Sequence, residues 1–508
     1  MFYIALIIAK LHLAILKLFH KEKDDKPGFL AYKLCPNFLE KLNKPDIVIG
    51  ITGTNGKTTT TNLLAEALKK CDYNVIYNDW GANTPGGYAR CLIEGVNIFN
   101  KKKNCIALLE MDEVTCNETM PLVSLKYLIV TNLFRDSMQR NANPDYIYDK
   151  IQKGLNKDIT LILNSDDPFS SMLGEKYNNK CIYFSIDKLD TDKKTSNNLI
   201  NDFIICPKCL SVLKYDYVRY HQIGKLHCPN CSFESKKASF LGNLDFANKV
   251  INVTNKNNTY SFNMINESIF NCYNELAVIT MLFTLNIDEY KIKSIMSKIT
   301  LAKNRYMSNI ANGIEVTNLA CKGLNAVATS RVFDYLNSLK ENIEIILFLD
   351  DQFDNKNNSE AITWIYDTDF ELLNKPNIKR IIVGGVRNKD YKLRLLLAGI
   401  DKEKIFTCEK ETDAINFVTT KDIDKIFILN EVYYITGGIK MNEKIVEKIN
   451  NLNIISSDIR KQHIIDMQNR REKRTVLKSL RRNKMRIRFK PWARPELEAS
   501  KFYIDNPE

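Results

Sequence analysis

The stretch Asp46-Ile-Val-Ile-Gly-Ile-Thr-Gly-Thr-Asn-Gly-Lys-Thr-Thr-Thr60 constrains this 508-residue chain more than any other. The apolar run Ile47 to Ile51 reads as a buried strand of a parallel sheet. A glycine-rich turn follows, and a helix is predicted over Thr58 to Lys70. In that geometry the backbone N–H groups of the turn and the helix dipole converge on an anion. Gly53 and Gly56 permit close backbone approach, and Thr54, Asn55 and Thr59 complete the loop. Lys57 can reach the outer phosphates of a nucleotide, and Thr58 can hold Mg²⁺. The full Walker pattern has a glycine where this chain has Ile51, so only the shorter Gly-Thr-Asn-Gly-Lys-Thr form is present. A chance glycine turn before a helix is the competing reading. It leaves the shared register of strand, glycines, lysine and threonines unexplained.

Downstream, strand-like runs at 75–77, 106–109, 127–130 and 159–163 alternate with helical or loop stretches, which implies a parallel sheet with crossover helices. Functional residues are then expected beyond the strand C-termini. Polar clusters stand there: Asn78 to Gly87, Glu110-Met-Asp112-Glu113, Thr131-Asn132 to Asp136, and Asn164 to Pro168. The carboxylates of Glu110 and Glu113 are the oxygens a hard Mg²⁺ ion requires.

Cys206-Pro-Lys-Cys209 and Cys228-Pro-Asn-Cys231 form two Cys-x₂-Cys knuckles separated by 18 residues. That spacing predicts a zinc ribbon whose four thiolates close the coordination sphere, a structural site. His221 and His227 are spare candidates that the site does not need, and a disulfide pairing is the alternative. The other cysteines, of thirteen, look like small core residues, and with no export signature they argue for a reducing, cytoplasmic setting.

The net charge of +13 belongs to one region. Residues 460 to 494 carry fourteen lysines and arginines against two acidic residues, leaving the rest of the chain nearly neutral. Nucleic-acid binding by the main body is therefore not indicated. Met1 to Phe19 is strongly apolar but interrupted by Lys10, His12 and Lys17. It lacks the charge order of a signal peptide and is expected as a helix packed on the protein or resting on a membrane surface.

The glycine loop and the strand-end clusters together resemble the Mur ligase family. The ribbon placement, the segment Thr363-Trp-Ile-Tyr-Asp367-Thr-Asp369-Phe-Glu371 and the run Val383 to Gly399 are most similar to its MurT branch, the ligase subunit of lipid II isoglutaminyl synthase. The resemblance covers roughly residues 1 to 430. It implies an α/β fold: a central P-loop domain with a parallel sheet and the zinc-ribbon insertion, plus a smaller C-terminal α/β domain. The expected boundaries are 1–45 for an apolar helix and connector, 46–305 for the central domain with its insertion at about 200–238, 306–455 for the C-terminal domain, and 456–508 for a basic tail.

In this family the resemblance implies ATP, Mg²⁺ and a GatD-type glutaminase partner. The reaction implied is amidation of the α-carboxyl of D-glutamate in lipid II to D-isoglutamine. Lys57 would serve the β/γ-phosphates and Thr58 the metal, with Glu110, or alternatively Glu113, as a further ligand. Asn271 and Asn274 match a segment contacting adenine, although Asn271 also reads as a helix N-cap. Arg305 matches half of a Gly-Arg pair, preceded here by Asn304. Asp367, with Asp369 as the alternative, would support the partner's Cys-His pair. The stretch Cys321-Lys-Gly-Leu-Asn325 departs from the family pattern. An amino-acid-adding ligase acting on UDP-muramoyl peptides is the alternative enzyme. Met485 to Glu498 resembles the start of bacterial tRNA guanine-N7 methyltransferases, with no methyl-donor domain following.

Overall fold

The computed structural model describes residues 1–19, 24–78, 82–136, 143–299, 306–321, 324–350 and 362–451. Arg305, Lys322, Gly323 and the basic tail lie outside these residues. By compactness the chain divides into two units, Met1–Glu443 and Lys444–Glu508, and every strand among the described residues belongs to the first.

Eleven strands precede residue 264: β1 (Ile47–Thr52), β2 (Val75–Tyr77), β3 (Ile106–Glu110), β4 (Tyr127–Val130), β5 (Thr160–Asn164), β6 (Cys181–Ile186), β7 (Lys214–Tyr220), β8 (Ile223–His227), β9 (Phe240–Asp245), β10 (Val250–Asn255) and β11 (Asn258–Asn263). Nine of them form one sheet in the order β11-β10-β9-β6-β5-β4-β1-β3-β2. From β2 to β9 all neighbours pair in parallel. β9, β10 and β11 form an antiparallel meander at the far edge. β1 is therefore central, flanked by β3 and β4, and its residues 48–51 are fully buried. That explains its unbroken apolar run, because a parallel strand covered on both faces has no polar side to show.

The helix Lys57–Lys70 packs Leu63, Leu64, Ala67 and Leu68 on one face of this sheet, beside the apolar helix Ile269–Thr284. The first helix, Phe2–Leu18, and the helix Pro85–Glu94 cover the other face, where Tyr88, Leu92, Leu109 and Val130 share a second core.

The segment 187–239 is inserted between the parallel neighbours β6 and β9 and carries the antiparallel hairpin β7–β8. It begins before the expected position near 200. A separate six-stranded sheet follows: β12 (Tyr306–Ala311), β13 (Ile314–Cys321), β14 (Ile343–Phe348), β15 (Ile378–Gly384), β16 (Ile405–Cys408) and β17 (Lys425–Glu431), in the order β12-β13-β17-β14-β15-β16. Only β12 runs antiparallel to its neighbour.

Candidate functional site

β1 ends at Thr52, and the chain turns through Gly53 (φ +130°) and Gly56 (φ +88°) before the helix opens at Lys57. Both glycines are required where they stand. A Cβ on Gly53 would lie 2.2 Å from Thr131 Oγ1, and one on Gly56 would lie 2.3 Å from Asn274 Oδ1. The turn is braced from the end of β4. Thr54 N–H donates to the Asn132 carbonyl at 2.8 Å, Asn55 N–H to Asn132 Oδ1 at 3.1 Å, and Thr131 Oγ1 to the Asn55 carbonyl at 2.6 Å. Thr54 Oγ1 donates to the Phe134 carbonyl at 3.0 Å and accepts from Phe134 N–H at 2.9 Å. These bonds fix the outer side of the turn. These braces were legible in the sequence only as an unassigned polar cluster.

The end of β3 supplies charge. Thr58 Oγ1 donates to Glu110 Oε1 at 3.0 Å. Lys57 Nζ donates to Glu113 Oε2 at 2.7 Å and to the Gly53 carbonyl at 2.6 Å. Burial works against the Lys57 charge, but the Glu113, Glu110 and Asp136 carboxylates outweigh it and hold the ammonium above its ordinary pKa. Glu113 is 1% exposed, and its Oε1 has no hydrogen-bond partner among the described residues. Such an orphaned acceptor is costly unless a cation or water satisfies it. Asn78 fixes this corner, accepting from Glu110 N–H at 2.8 Å and donating to the Glu110 carbonyl at 3.0 Å.

Asn274 closes the turn from the Ile269–Thr284 helix, and its Nδ2 lies 3.5 Å from Asn271 Oδ1. Asn271 sits in the first turn of that helix, bonded to Asn266 Oδ1 and Ser268 Oγ, while the N-cap position falls to Ser268. The alternative reading of Asn271 as the cap is therefore set aside. Thr59 is half-buried in the first turn of the Lys57–Lys70 helix.

A separate cluster gathers Cys206, Cys209, Cys228 and Cys231, with all four sulfurs within 4.8 Å of one another. Cys206 and Cys231 sulfurs stand 3.6 Å apart, and those of Cys209 and Cys228 stand 3.4 Å apart. Four thiolates around zinc at about 2.3 Å would be separated by about 3.8 Å, so the donor set fits a tetrahedral zinc site. No disulfide forms among the described cysteines. The two histidines are committed elsewhere: His221 Nδ1 lies 3.0 Å from the Ile200 carbonyl, and His227 pairs with Asp216.

The insertion is bolted to the strand ends. Arg219 and Lys225 of the hairpin pair with Asp166 after β5, Tyr273 donates to the same carboxylate at 2.7 Å, and Gln222 Nε2 donates to the Leu133 carbonyl at 2.9 Å. Burial opposes the Asp166 charge, but Lys225 and Arg219 prevail and hold its pKa below the usual value. On its other side the insertion meets the second sheet's layer. Asn198 Nδ2 and Leu199 N–H donate to Asp369 at 2.8 and 2.6 Å, and Arg135 bridges Asp202 and Asp367.

A parallel sheet whose central strand feeds a glycine turn and an open helix N-terminus, faced by carboxylates from the next strand, is the architecture of an ATP-dependent Mur ligase. The fold agrees with solved members of that class. It is similar to a pseudomurein peptide ligase type C from Methanothermus fervidus (TM-score 0.59, 20% identity, covering 80% of this chain and 79% of that one). It is also similar to MurF from Acinetobacter baumannii (TM-score 0.54, 13% identity, covering 83% and 80%).

Residues 51–282 match the Mur ligase middle domain family, and residues 324–433 match the MurT ligase C-terminal family. The lipid II isoglutaminyl synthase (glutamine-hydrolyzing) subunit MurT of Staphylococcus aureus is 33% identical over 402 residues, 78% of this chain and 88% of that protein. The Streptococcus pneumoniae protein of the same name is 26% identical, over 79% and 88%. A UDP-N-acetylmuramoylalanine–D-glutamate ligase of Clostridioides difficile is similar over only 28% of this chain. The chain belongs to the MurT family.

Proposed function

We propose that the chain is the ATP-using subunit of a glutamine amidotransferase. It would amidate the α-carboxyl of D-glutamate in the lipid II stem peptide to D-isoglutamine, using ammonia from a GatD-type glutaminase. The supporting observation is the glycine turn with Lys57 facing Glu110 and Glu113, in a chain whose relatives are named as subunits of a glutamine-hydrolysing lipid II isoglutaminyl synthase.

A carboxylate is a poor electrophile. Transfer of the ATP γ-phosphoryl group to its oxygen yields an acyl phosphate and ADP. Ammonia then attacks the carbonyl carbon, the C–O bond to phosphate breaks, and inorganic phosphate leaves with that electron pair. Positioning and charge neutralisation dominate such a transfer. Lys57 would exchange Glu113 for the β/γ-phosphates, and the amides of Gly56 to Thr58 at the helix N-terminus would receive them. Thr58 and Glu110 are placed to hold Mg²⁺, with Glu113 the alternative ligand. The ion when bound neutralises phosphate charge. Asn274, lying on Gly56, and Asn271 beside it would serve the nucleotide, together with Arg305. Cys206, Cys209, Cys228 and Cys231 would hold a structural zinc.

For the partner glutaminase, Asp367 would orient the histidine of its Cys-His pair as an acceptor carboxylate. Asp367 is 31% exposed, whereas Asp369 is buried with both oxygens already accepting from Asn198 and Leu199. That difference favours Asp367.

The test is co-production with a glutaminase subunit and assay of lipid II amidation with glutamine or free ammonia as donor. Asp367→Asn should lose the glutamine-driven reaction and keep the ammonia-driven one. Equal effects on both donors would remove Asp367 from that role, and no amide from either donor in the unaltered complex would overturn the reaction itself. Total metal analysis should find one zinc per chain.

A further inference from the structure

The first helix, Phe2–Leu18, is apolar on two opposite faces. Ala5, Leu6, Ala9, Leu13 and Leu16 are buried on the protein. Tyr3, Ile4, Ile7, Leu11, Ile15 and Leu18 are 44–76% exposed and, from Ile4 onward, recur every three or four residues, forming one stripe along the outward side. Soluble chains rarely leave so continuous an apolar surface uncovered.

The two lysines of this helix reach away from the stripe. Lys10 Nζ donates to the carbonyls of Ile93 and Val96 at 2.8 and 2.7 Å, and Lys17 pairs with Glu94 at 2.9 Å. Both lysines thus bind the C-terminal end of the Pro85–Glu94 helix, where cations are favoured. The loop that follows repeats the composition. It is closed by a bridge between Val96 and Lys102 and carries Ile98 (51% exposed) and Phe99 (66% exposed) beside the exposed Lys101, Lys102 and Lys103. Because Val96 receives the Lys10 ammonium, the loop adjoins the helix.

Charge identifies the occupant. Residues 1–45 contain eight lysines and four acidic residues. Nearby carboxylates are already matched: Glu94 by Lys17 and Arg90, Asp24 by Lys26. The outward surface is therefore aliphatic and bordered, at the Ile98–Phe99 loop, by the exposed Lys101, Lys102 and Lys103, of which Lys102 pairs with Asp46. Protein interface cores deplete lysine, whereas an apolar helix face bordered by lysines is what anionic lipid headgroups and acyl chains bind together. Spanning is not the mode. Seventeen residues reach only about 26 Å, one long face is spent on the protein, and no described helix is long and apolar enough to cross a membrane.

We propose that the outward face of the Phe2–Leu18 helix, with the Ile98–Phe99 loop, rests on an anionic bilayer surface, the helix axis lying in the plane of the headgroups. This inference stands apart from the reaction proposed above, because it concerns a surface and not the ATP site.

The experiment is co-sedimentation of the full chain with vesicles of mixed phosphatidylglycerol and phosphatidylcholine, and with phosphatidylcholine alone. The chain should sediment with the anionic vesicles, less as salt is raised, and weakly with the neutral ones. Ile7→Ser with Leu11→Ser touches two exposed side chains, so melting and metal content should stay unchanged while vesicle affinity falls about ten-fold or more. Lys101→Gln with Lys103→Gln should weaken binding and flatten its salt dependence. Failure of the unaltered chain to sediment with anionic vesicles would overturn the proposal, as would undiminished binding by the Ile7/Leu11 variant. A dimer in solution that this variant converts to monomer would assign the face to a second copy and overturn it too.

Discussion

The turn after β1 and the turn after β15 have the same local form and opposite electrostatics. Each follows a parallel strand, passes through a glycine with positive φ (Gly53 at +130°, Gly385 at +125°) and opens a helix. Each is faced by an acidic side chain from the end of an adjacent strand. At the first turn a lysine stands between: Lys57 bonds Glu113 and keeps the carboxylate off the backbone amides. At the second the described contact is direct. Asp350 Oδ2 accepts from Arg387 N–H at 3.2 Å and would lie 2.2 Å from a Cβ on Gly385. The protein's own carboxylate therefore occupies the place an external anion would take. A glycine turn before a helix is open to phosphate only where the neighbouring strand has not already delivered the negative charge.

Lys57→Ala breaks this contrast most severely. It leaves Glu113 buried without its cation and removes the charge meant for phosphate. ATP-dependent turnover should fall by roughly 10² to 10³ or more, read by ADP release in the assembled complex. Unchanged turnover would make the two turns equivalent.

Glu275, next to Asn274 on the helix that closes the first turn, gives a pH signature. Burial lifts its carboxyl to about 8, a rise the Ile265 N–H only partly offsets. The folded state thus keeps the proton to higher pH than the unfolded chain, whose ordinary value is 4.5. Its contribution is fully present below that value and is lost as pH rises through about 8. Glu275→Gln should flatten the decline over that window by roughly 5 kcal/mol at most, measured by urea unfolding at several pH values.

Gly56→Ala tests whether the turn tolerates a side chain. The residue is held at φ +88°, and its Cβ would displace Asn274. A loss of about 2 kcal/mol in stability is expected, with weaker nucleotide binding by calorimetry. Asp350→Asn should act least and only on the second turn. Losing an anion at a helix N-terminus costs about 1 kcal/mol, with nucleotide affinity unaltered.

The sequence made the first turn legible because strand, glycines, lysine and threonines are contiguous. The same holds for the four-cysteine cluster, whose members come in two short knuckles. The strands β1 to β5 and the helix after the loop fall within a residue or two of expectation, since each is a long apolar or periodic run. Thr131, Asn132, Asn78 and Arg135 acquire their roles through partners dozens of residues away, and no local pattern carries that information. The edge strands β9 to β11 alternate apolar with polar residues too irregularly to stand out. The second turn shows the limit most plainly: the run Val383 to Gly399 is legible only by resemblance, and the carboxylate that meets its turn, Asp350, lies far upstream at the end of another strand.

The insertion grips both layers at once, Asp166 and Leu133 on one side and Asp369 on the other, with Arg135 tying Asp202 to Asp367. It works as a spacer riveted between two plates. Swinging one plate against the other must shear those rivets or drag the spacer along.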